Sequence, residues 1–373
     1  MPETTSGENS SASILFADAA VECLEASRTL PAKFQRMLKR SNLDTMVAGH
    51  RVVIKMHLGS DIGFTTIHPL FVRLLVKEVS EAGARSVAVI DGNPPRNGIP
   101  RGLTPEVIGC PVLSCFGPGG DEFIPRRIDF GSLDEVLFGR EALEAEVFIS
   151  LAHVKGHGAC GFGGALKNIA MGTVPPQSRR KLHQLEGGIV YDAKKCSFCL
   201  KCFKSCPNDA IKIDREQRVI SFFYHHCTYC RHCVMACPEG AISMSERKFE
   251  DFAKGMALVT RSFLETFPAD RLFFINVLTN ITMYCDCWGF SSPPLVPDIG
   301  ILAGRDIVAI DTASLDLIKT ENLIPNGLPK NRPALREGAH LFEKIHGKDP
   351  YLMLRYLAGM YPAAQGYTLE MVT

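Results

Sequence analysis

Three features that would place the chain in a common class are missing from its sequence. It has no apolar run near the ~20 residues that a membrane-spanning helix needs; the most apolar internal run, LFFINVL from Leu272, has seven. It has no excess of one charge, because 41 basic and 40 acidic side chains leave a net charge of +1. We therefore expect no membrane span and no nucleic acid partner, since nucleic acid binding needs a basic surface.

The N-terminal stretch lacks the features of a secretory signal. Residues 1–12 are polar and acidic, without a positively charged start or a long apolar core, so we expect a disordered tail. Fourteen cysteines without an export signal indicate a reducing cytoplasm, and metal ligation rather than a disulfide framework. The 373 residues, 46% of them hydrophobic, suffice for two or three folded domains. They give no indication of an oligomeric state.

Eight cysteines form two copies of one motif, C-x2-C-x2-C-x3-C followed by proline. This spacing is typical of ferredoxins with two iron-sulfur clusters, in which three close thiolates bind one cluster and the fourth binds the other. A pair of four-cysteine zinc sites is the alternative, because zinc also uses C-x2-C pairs, but the crossed pattern favours clusters. The predicted ligands of two 4Fe-4S clusters are Cys196, Cys199, Cys202 and Cys237 for the first, and Cys227, Cys230, Cys233 and Cys206 for the second.

Strand and helix patterns alternate on both sides of these motifs. RVVIKMH (51–57) and SVAVID (86–91) are typical of buried strands, and the segment from Pro69 to about Gly83 between them is typical of a helix. Further along, EVFIS and RLFFINVL predict two more buried strands. GILAGRDIVAID predicts two short strands or one bent strand, followed by a helix from Thr312 to about Lys319.

This alternation predicts an α/β fold with an open, mostly parallel sheet. The cysteine motifs interrupt it, and short strand patterns follow each motif, as a ferredoxin repeat requires. We therefore predict a discontinuous α/β body of residues 13–187 and 247–373, with a small α+β domain similar to bacterial ferredoxins inserted at residues 188–246.

A glycine-rich stretch, HVKGHGACGFGGALKNIAMG, follows the strand EVFIS, where open α/β sheets bind ligands. Its glycines allow close approach of a ligand, and Lys167 is a candidate cation or nucleophile. A tight structural loop is the alternative, and neither a dinucleotide fingerprint nor a phosphate-binding loop fits the spacing. The candidate catalytic residues are His153, Lys155, His157, Lys167 and His183, and the candidate cofactor-binding residues are Gly161, Gly163, Gly164, Lys167 and Asn168.

The pair Cys285 and Cys287 in YCDCWG follows another predicted strand. Residues i and i+2 of an extended segment face the same side, so both thiols could bind one metal ion across the pocket from Lys167. Two buried small apolar residues are the alternative. A disulfide between them would be strained and is not expected in a reducing compartment. We predict that the pocket between Lys167 and these cysteines holds an additional metal or a nucleotide-like cofactor.

Several blocks in this order resemble the iron-sulfur protein family of domain of unknown function 362. They are KMHLG, the glycine-rich stretch above, the double cysteine motif, ITMYCDC, DIGILAGRDIVAID and HGKDPYLMLRYL. The resemblance covers nearly the whole chain. It implies a prokaryotic, often anaerobic, 4Fe-4S protein of unassigned reaction.

A second resemblance is to the nickel-pincer lactate racemases. The residues that match their pattern are His157, Gly163, Gly164, Lys167 and His183. The resemblance implies that the lysine anchors a pyridinium-type nickel cofactor, the last histidine ligates nickel and the first acts as acid or base. The sequence departs from that family in DGNPPRNG, where Arg96 has no accompanying histidine.

Two classes of function are consistent with these patterns. The first is an oxidoreductase in which two 4Fe-4S clusters pass electrons to a site in the α/β body. The second is a non-catalytic electron carrier or a protein that handles metals or clusters. A nickel-pincer type of cofactor enzyme is a further alternative. The converging histidines and lysine favour an enzyme, whose partner is a redox protein or a small-molecule substrate.

Overall fold

Apolar strands at the centre of one large sheet organise the chain. The structure, a computed structural model, describes residues 11–206, 209–223, 226–227, 232–245, 249–330 and 335–373. The strands in these ranges are β1 (Ser11–Asp18), β2 (Arg51–Lys55), β3 (Ser86–Asp91), β4 (Val112–Ser114), β5 (Phe123–Phe130), β6 (Leu133–Gly139), β7 (Val147–His153), β8 (Lys155–His157), β9 (Gly161–Gly163), β10 (Ile189–Tyr191), β11 (Ile211–Asp214), β12 (Val219–Phe222), β13 (Ile242–Met244), β14 (Leu272–Leu278), β15 (Gly300–Gly304) and β16 (Gly366–Met371).

The helices in the same ranges lie between these strands along the chain. They are α1 (Leu30–Arg40), α2 (Asp44–Val47), α3 (Pro69–Glu81), α4 (Pro105–Ile108), α5 (Arg140–Leu143), α6 (Ala165–Ala170), α7 (Pro176–Leu185), α8 (Lys201–Lys204), α9 (His232–Ala236), α10 (Phe249–Leu264), α11 (Ile307–Leu317), α12 (Leu341–His346) and α13 (Leu352–Ala358). No helix in the described ranges is both long and apolar enough to cross a bilayer.

The large sheet has eight strands in the order β16-β1-β15-β14-β7-β2-β3-β4. Only β15 pairs antiparallel to its neighbours; all the other pairs in the sheet are parallel. Strands β7 and β14 are buried along their whole length, as expected for parallel strands covered on both faces. The structure confirms the predicted fold class, an α/β protein with an open, mostly parallel sheet.

Helices cover both faces of the sheet and define two apolar cores. On one face α6, α7, α10, α11 and α13 pack around a core that contains Phe148 and Phe263. On the other face α1 and α3 pack around Phe34 and Leu75. The first core extends to Phe162, within the glycine-rich stretch, so it supports the loops at one end of the sheet.

Two sequence-based expectations about element boundaries are wrong. The segment IVAID forms the first turns of α11 rather than a strand, because the Asp306 carboxylate accepts hydrogen bonds from the amides of Val308 and Ala309 and caps a helix there. At the N-terminus, β1 begins at Ser11 and pairs with β15 and β16, so residues 11–12 belong to the sheet rather than to a tail. Residues 1–10 lie outside the described ranges.

The cysteine-rich segment, residues 189–244, leaves and re-enters the body at adjacent points. Its first strand, β10, pairs antiparallel with its last, β13, and Ile189 lies opposite Met244. The amide of Ser245 donates to the carbonyl of Gly188 at 3.1 Å. Between these ends β11 and β12 form a separate antiparallel pair, so none of the segment's described strands belongs to the large sheet. Its assignment as an inserted ferredoxin-like domain stays a prediction.

Replacing residues 189–244 by a short Gly/Ser linker should leave a folded α/β body, because the two ends are hydrogen-bonded to each other and need little chain to join them. We expect a soluble protein with one cooperative transition in urea, followed by circular dichroism. Aggregated or non-cooperative material from linkers of several lengths would show that the body depends on the segment.

Candidate functional site

A group of buried polar side chains lies where parallel strands end. Lys55 ends β2, Asp91 ends β3 and His153 ends β7, and the turn that contains Cys285 follows β14. Because these strands are parallel, their carboxyl ends meet at one edge of the sheet. A cavity of about 260 Å³ opens there, and side chains from all four strand ends line it.

Helix α6 places Lys167 at this cavity. The Asp311 carboxylate accepts hydrogen bonds from the amides of Ala165 and Leu166, at 2.8 and 2.9 Å, and so fixes the start of the helix. Burial raises the pKa of Asp311 to about 6, although these hydrogen bonds act to lower it. The residue before the helix must be glycine, because a Cβ at Gly164 would lie 2.5 Å from an Asp311 oxygen.

Lys167 contacts the two cysteines of the YCDCWG turn. Its Nζ lies 3.0 Å from Cys285 Sγ and 3.9 Å from Cys287 Sγ, and the two sulfurs are 2.7 Å apart. Burial opposes charge on the lysine, but the adjacent cysteine sulfurs, Cys285 above all, outweigh it and raise the pKa of Lys167. Despite burial, the hydrogen bond from Cys287 and the lysine charge lower the pKa of Cys285 well below its ordinary value. The sequence had suggested that Lys167 and the cysteines face each other across the pocket; instead they are in contact.

His157 lies next to the cysteine pair. Its Nδ1 accepts hydrogen bonds from the amides of Ala159 and Cys160, and its Nε2 lies 3.5 Å from Cys287 Sγ. Burial lowers the pKa of His157 to about 4, so the ring is neutral with its proton on Nε2, facing the sulfur. Gly161, with φ +80°, turns the β8–β9 hairpin that carries the histidine; like the histidine, it does not line the cavity.

The donor atoms of His157, Cys285 and Cys287 lie close enough together to share a metal ion. The hydrogen bonding of His157 does not match a typical metal ligand, because a coordinating histidine usually donates its other ring N–H to an acceptor. Here the other nitrogen accepts two backbone N–H groups. The positions of the two cysteines and the histidine are therefore compatible with metal binding. The orientation of the histidine is that of a hydrogen-bond donor to the sulfur rather than of a typical ligand.

Two of the predicted catalytic residues, His153 and Lys155, instead contact a buried carboxylate. Lys155 forms a buried ion pair with Asp286, whose carboxylate also lies 3.1 Å from His153 Nδ1. The other nitrogen of His153 donates to the carbonyl of Thr279 at 2.7 Å. Burial opposes ionisation of Asp286, but Lys155 and His153 lower its pKa well below the ordinary value. The network fixes the residue between the two cysteines. Both side chains also line the cavity.

Sequence reasoning missed a second buried ion pair, Lys55 with Asp91 at 3.1 Å. Asn168, predicted to bind a cofactor, accepts from Lys55 Nζ at 3.0 Å and donates to the Lys55 carbonyl and to Ser150. The carboxylate of Asp91 also accepts from the Leu58 amide. These contacts tie α6 to β2 and β7. The strand-end rule that identified His153 could have identified Lys55 and Asp91 as well.

Helix α7 adds basic side chains to the cavity wall. Arg179 donates to the carbonyl oxygens of Val174 and Gly92, and the exposed Arg180 lies beside it. His183 also lines the cavity and stacks on Phe252; burial lowers its pKa to about 3. The two arginines lie in the run SRRKLH, which is basic in sequence, but nothing in that run indicates that it faces a pocket.

Four cysteines of the predicted first cluster surround one small cavity: Cys196, Cys199, Cys202 and Cys237. The backbone between them is in the left-handed region at Phe198 (φ 58°) and Leu200 (φ 59°), a conformation that turns amide N–H groups toward a bound anion. Amides of Phe198 and Ala210 donate to the sulfurs of Cys196 and Cys206. Of the other predicted ligands, Cys227 and Cys233 are described and half-buried, whereas Cys230 lies outside the described residues.

The cysteine-rich segment also reaches the cavity at the sheet edge. Phe222, at the end of β12, and Phe223 line its wall. The imidazole of His226 stacks on Trp288, with ring centroids 5.8 Å apart. Since Trp288 follows Cys287 directly, the segment and the cysteine turn are in contact.

The buried pairing of Asp286 gives a stability prediction. Asp286→Ala leaves Lys155 charged and buried with no negative partner, only the His153 ring beside it, so we expect it to lower the free energy of unfolding in urea by about 3–5 kcal/mol. The matched control is Asp270→Ala at an exposed aspartate, for which we expect a change below about 0.5 kcal/mol. Combining Asp286→Leu with Lys155→Met should recover most of the loss. Equal stability of Asp286→Ala and the control would contradict the role of the pair.

Comparison with known proteins gives distant structural similarity and one family. The lactate racemase apoprotein from Thermoanaerobacterium thermosaccharolyticum is 12% identical, with a TM-score of 0.35 over 71% of this chain and 50% of that one. A structural-genomics protein from Thermotoga maritima is 12% identical, with a TM-score of 0.37 over 68% and 52%. The chain therefore spans about half the length of both proteins. No curated protein matches it. The family described as domain of unknown function (DUF362) matches residues 52–316, more than half of the sequence, and the chain belongs to this family.

Proposed function

We propose that the protein is an iron-sulfur oxidoreductase. In this proposal two 4Fe-4S clusters in residues 188–246 exchange electrons with a small anionic substrate bound in the cavity at the sheet edge. The observation that carries it is that Phe222 and Phe223, from the cysteine-rich segment, line the same cavity as Lys167 and the Cys285/Cys287 pair. An electron-carrying segment that only served other proteins would not need to form the wall of a buried pocket.

The residues around the first predicted cluster suit a 4Fe-4S group. Four thiols border one cavity, and the left-handed residues Phe198 and Leu200 expose amides that favour the negative charge of a thiolate-bound cluster. The hydrogen bond from the Phe198 amide to Cys196 Sγ would stabilise the more negative, reduced form of this cluster, and the one from the Ala210 amide to Cys206 Sγ would do the same for the second. When bound, the clusters would supply single electrons at low potential.

A short contact path supports electron exchange with the pocket. Cys227, a predicted ligand of the second cluster, is bonded to His226, which stacks on Trp288. Trp288 is bonded to Cys287, a residue of the pocket wall. Covalent bonds and one ring contact therefore join a predicted cluster ligand to the site.

The charge of the cavity supports an anionic substrate. Asp91 neutralises Lys55, Asp286 neutralises Lys155, and the Cys285 thiolate faces Lys167. Arg179 and Arg180 form no ion pair within the described residues, and Arg179 donates only to carbonyl oxygens there. A carboxylate or phosphate-like group would match these two guanidinium groups.

The residues of this chain have separate tasks in the proposal. Arg179 and Arg180 bind and orient the anion at the cavity mouth. Lys167 stabilises negative charge on the Cys285 sulfur. The neutral His183 is a hydrogen-bonding group at the wall, and the aromatic side chains of the cysteine-rich segment limit access of water. The nucleophilic role predicted for Lys167 would need loss of its proton, which the neighbouring thiolate opposes.

A metal-handling protein is the second candidate, because His157, Cys285 and Cys287 are close enough to hold an ion. Metal analysis of anaerobically isolated protein separates the candidates. Iron and sulfide alone support the redox enzyme, whereas a stoichiometric further metal, such as zinc or nickel, that depends on Cys285 supports the second candidate.

The proposal predicts about eight irons and eight sulfides per chain, with two reducible centres in low-temperature EPR. Cys199→Ala should lose roughly half of the iron, because it removes a ligand of one cluster only. Cys23→Ala is the matched control: this exposed cysteine lies outside both motifs, and its loss should leave the iron content unchanged. Zinc in place of iron, or a single centre in the wild type, would contradict the two-cluster assignment.

The anion site predicts a specific binding defect. Inorganic phosphate, sulfate and oxalate should be tested by isothermal titration, and we expect at least one to bind the wild type. Arg179→Met should weaken that binding by about 10- to 100-fold, because each charge-assisted hydrogen bond contributes about 1.5–3 kcal/mol. Arg126→Met, at an exposed arginine of β5, should bind as the wild type does. Equal binding by the Arg179→Met and Arg126→Met variants, or no binding by the wild type, would refute the anion site.

A further inference from the structure

We propose that Cys285 and Cys287 form a reversible dithiol–disulfide couple that holds two electrons inside the pocket. The inference rests on the proposed function, because the predicted clusters are its source of electrons. It adds the group in which two single electrons are stored together. It assigns the two cysteines a redox role instead of the metal-binding role suggested by their spacing.

The turn that carries the cysteines holds their sulfurs in contact. Cys285 precedes the 3₁₀ turn Asp286–Trp288, and its sulfur accepts a hydrogen bond from the Cys287 amide. The two sulfurs are 2.7 Å apart, so joining them needs little movement of the chain. The intervening Asp286 side chain points away, into its ion pair with Lys155. That anchor keeps the flanking thiols together on the pocket side.

The surroundings of the pair favour an ionised thiol over a metal thiolate. The Lys167 ammonium, 3.0 Å from Cys285 Sγ, stabilises a thiolate and would repel a divalent cation at that sulfur. The imidazole of His157 directs its Nε2 proton at Cys287, with its other nitrogen engaged by the backbone. These groups stabilise the reduced pair without requiring an ion.

The electron count fits the two predicted clusters. When bound, each cluster would supply one electron, and breaking a disulfide takes two. On reduction the Sγ–Sγ bond breaks, two electrons enter and one proton is taken from solvent, which leaves the Cys285 thiolate beside Lys167 and the Cys287 thiol. In the reverse step the thiolate and thiol lose two electrons and one proton and the bond forms again. A small anionic substrate with a bond reducible by two electrons accepts both electrons and the proton.

The two thiols differ in their access to the pocket. Cys285 is buried against Lys167, whereas Cys287 is half-buried and is bonded to Trp288, which contacts the cysteine-rich segment. Cys287 therefore faces both the cavity and the contact path from the clusters. This arrangement places the couple between the electron source and the substrate.

The couple can be detected without any enzyme assay. Anaerobic holoprotein is equilibrated in dithiothreitol redox buffers, quenched with a maleimide and analysed by peptide mass spectrometry. We expect the peptide with Cys285 and Cys287 to lose two hydrogens and to resist alkylation under oxidising conditions, and to be doubly alkylated under reducing conditions. The transition should follow a two-electron Nernst slope of about 30 mV per tenfold change in ratio. The exposed Cys23 is an internal reference. Its peptide should be alkylated in every sample in which thiols have not been oxidised beyond the disulfide stage.

Lys167→Met supplies a second, quantitative readout. Loss of the ammonium should destabilise the thiolate and shift the dithiol–disulfide equilibrium by about tenfold toward the disulfide, which corresponds to a midpoint about 30 mV more negative. Cys110→Ser, at a buried cysteine of the opposite core, is the matched control and should leave the midpoint unchanged. An equal midpoint in the Lys167→Met variant and the wild type would overturn the assignment of the lysine to this couple.

The test separates this inference from the proposed function. If the Cys285–Cys287 disulfide forms in redox buffer but the protein holds no iron and sulfide, the couple stands and its proposed electron source fails. If the protein holds both clusters but the two thiols remain fully alkylated at every potential, the couple is refuted and the oxidoreductase proposal stands. A stoichiometric metal that protects both thiols and is lost from Cys285→Ser also refutes the couple.

Discussion

One buried carboxylate determines where the pocket lies. His153, at the end of β7, and Lys155, in the hairpin after it, both contact Asp286. Asp286 itself follows β14. The ion pair therefore joins the loops of two neighbouring parallel strands. Because the flanking Cys285 and Cys287 cannot move independently of it, the position of both thiols follows from this interaction.

Each buried lysine of the pocket is paired with a negative group. The chemistry of the pocket depends on the one lysine whose partner is not a carboxylate. A lone buried ammonium is unfavourable, so Lys55 and Lys155 are each paired with a carboxylate. Lys167 has a sulfur in that position, and its charge is matched only if Cys285 is ionised. The lysine and the thiolate therefore stabilise each other, which favours the ionised form of Cys285.

The sequence predicted the parts of the fold that local patterns determine. Strands β7 and β14 are short, continuous apolar runs, and α3 has a clear helical periodicity. IVAID fits a strand or a helix equally well, and the Asp306 cap decides for the helix. In the site, His153 and Lys155 were identified as polar residues near a strand end. Their structural partner, Asp286, is more than 130 residues away, and pairing over such a distance has no signature in one sequence.

Chain connectivity explains why the cysteine-rich segment lies at this pocket. The segment starts after α7, the helix with Arg179 and His183, and the chain continues from it into α10. Helix α10 packs against both α7 and α6, and α6 carries Lys167. Both attachment points are therefore elements of the pocket wall or rest directly on one. The entry of the segment is therefore attached to the helix that carries Arg179, and its exit to a helix that packs on the one that carries Lys167.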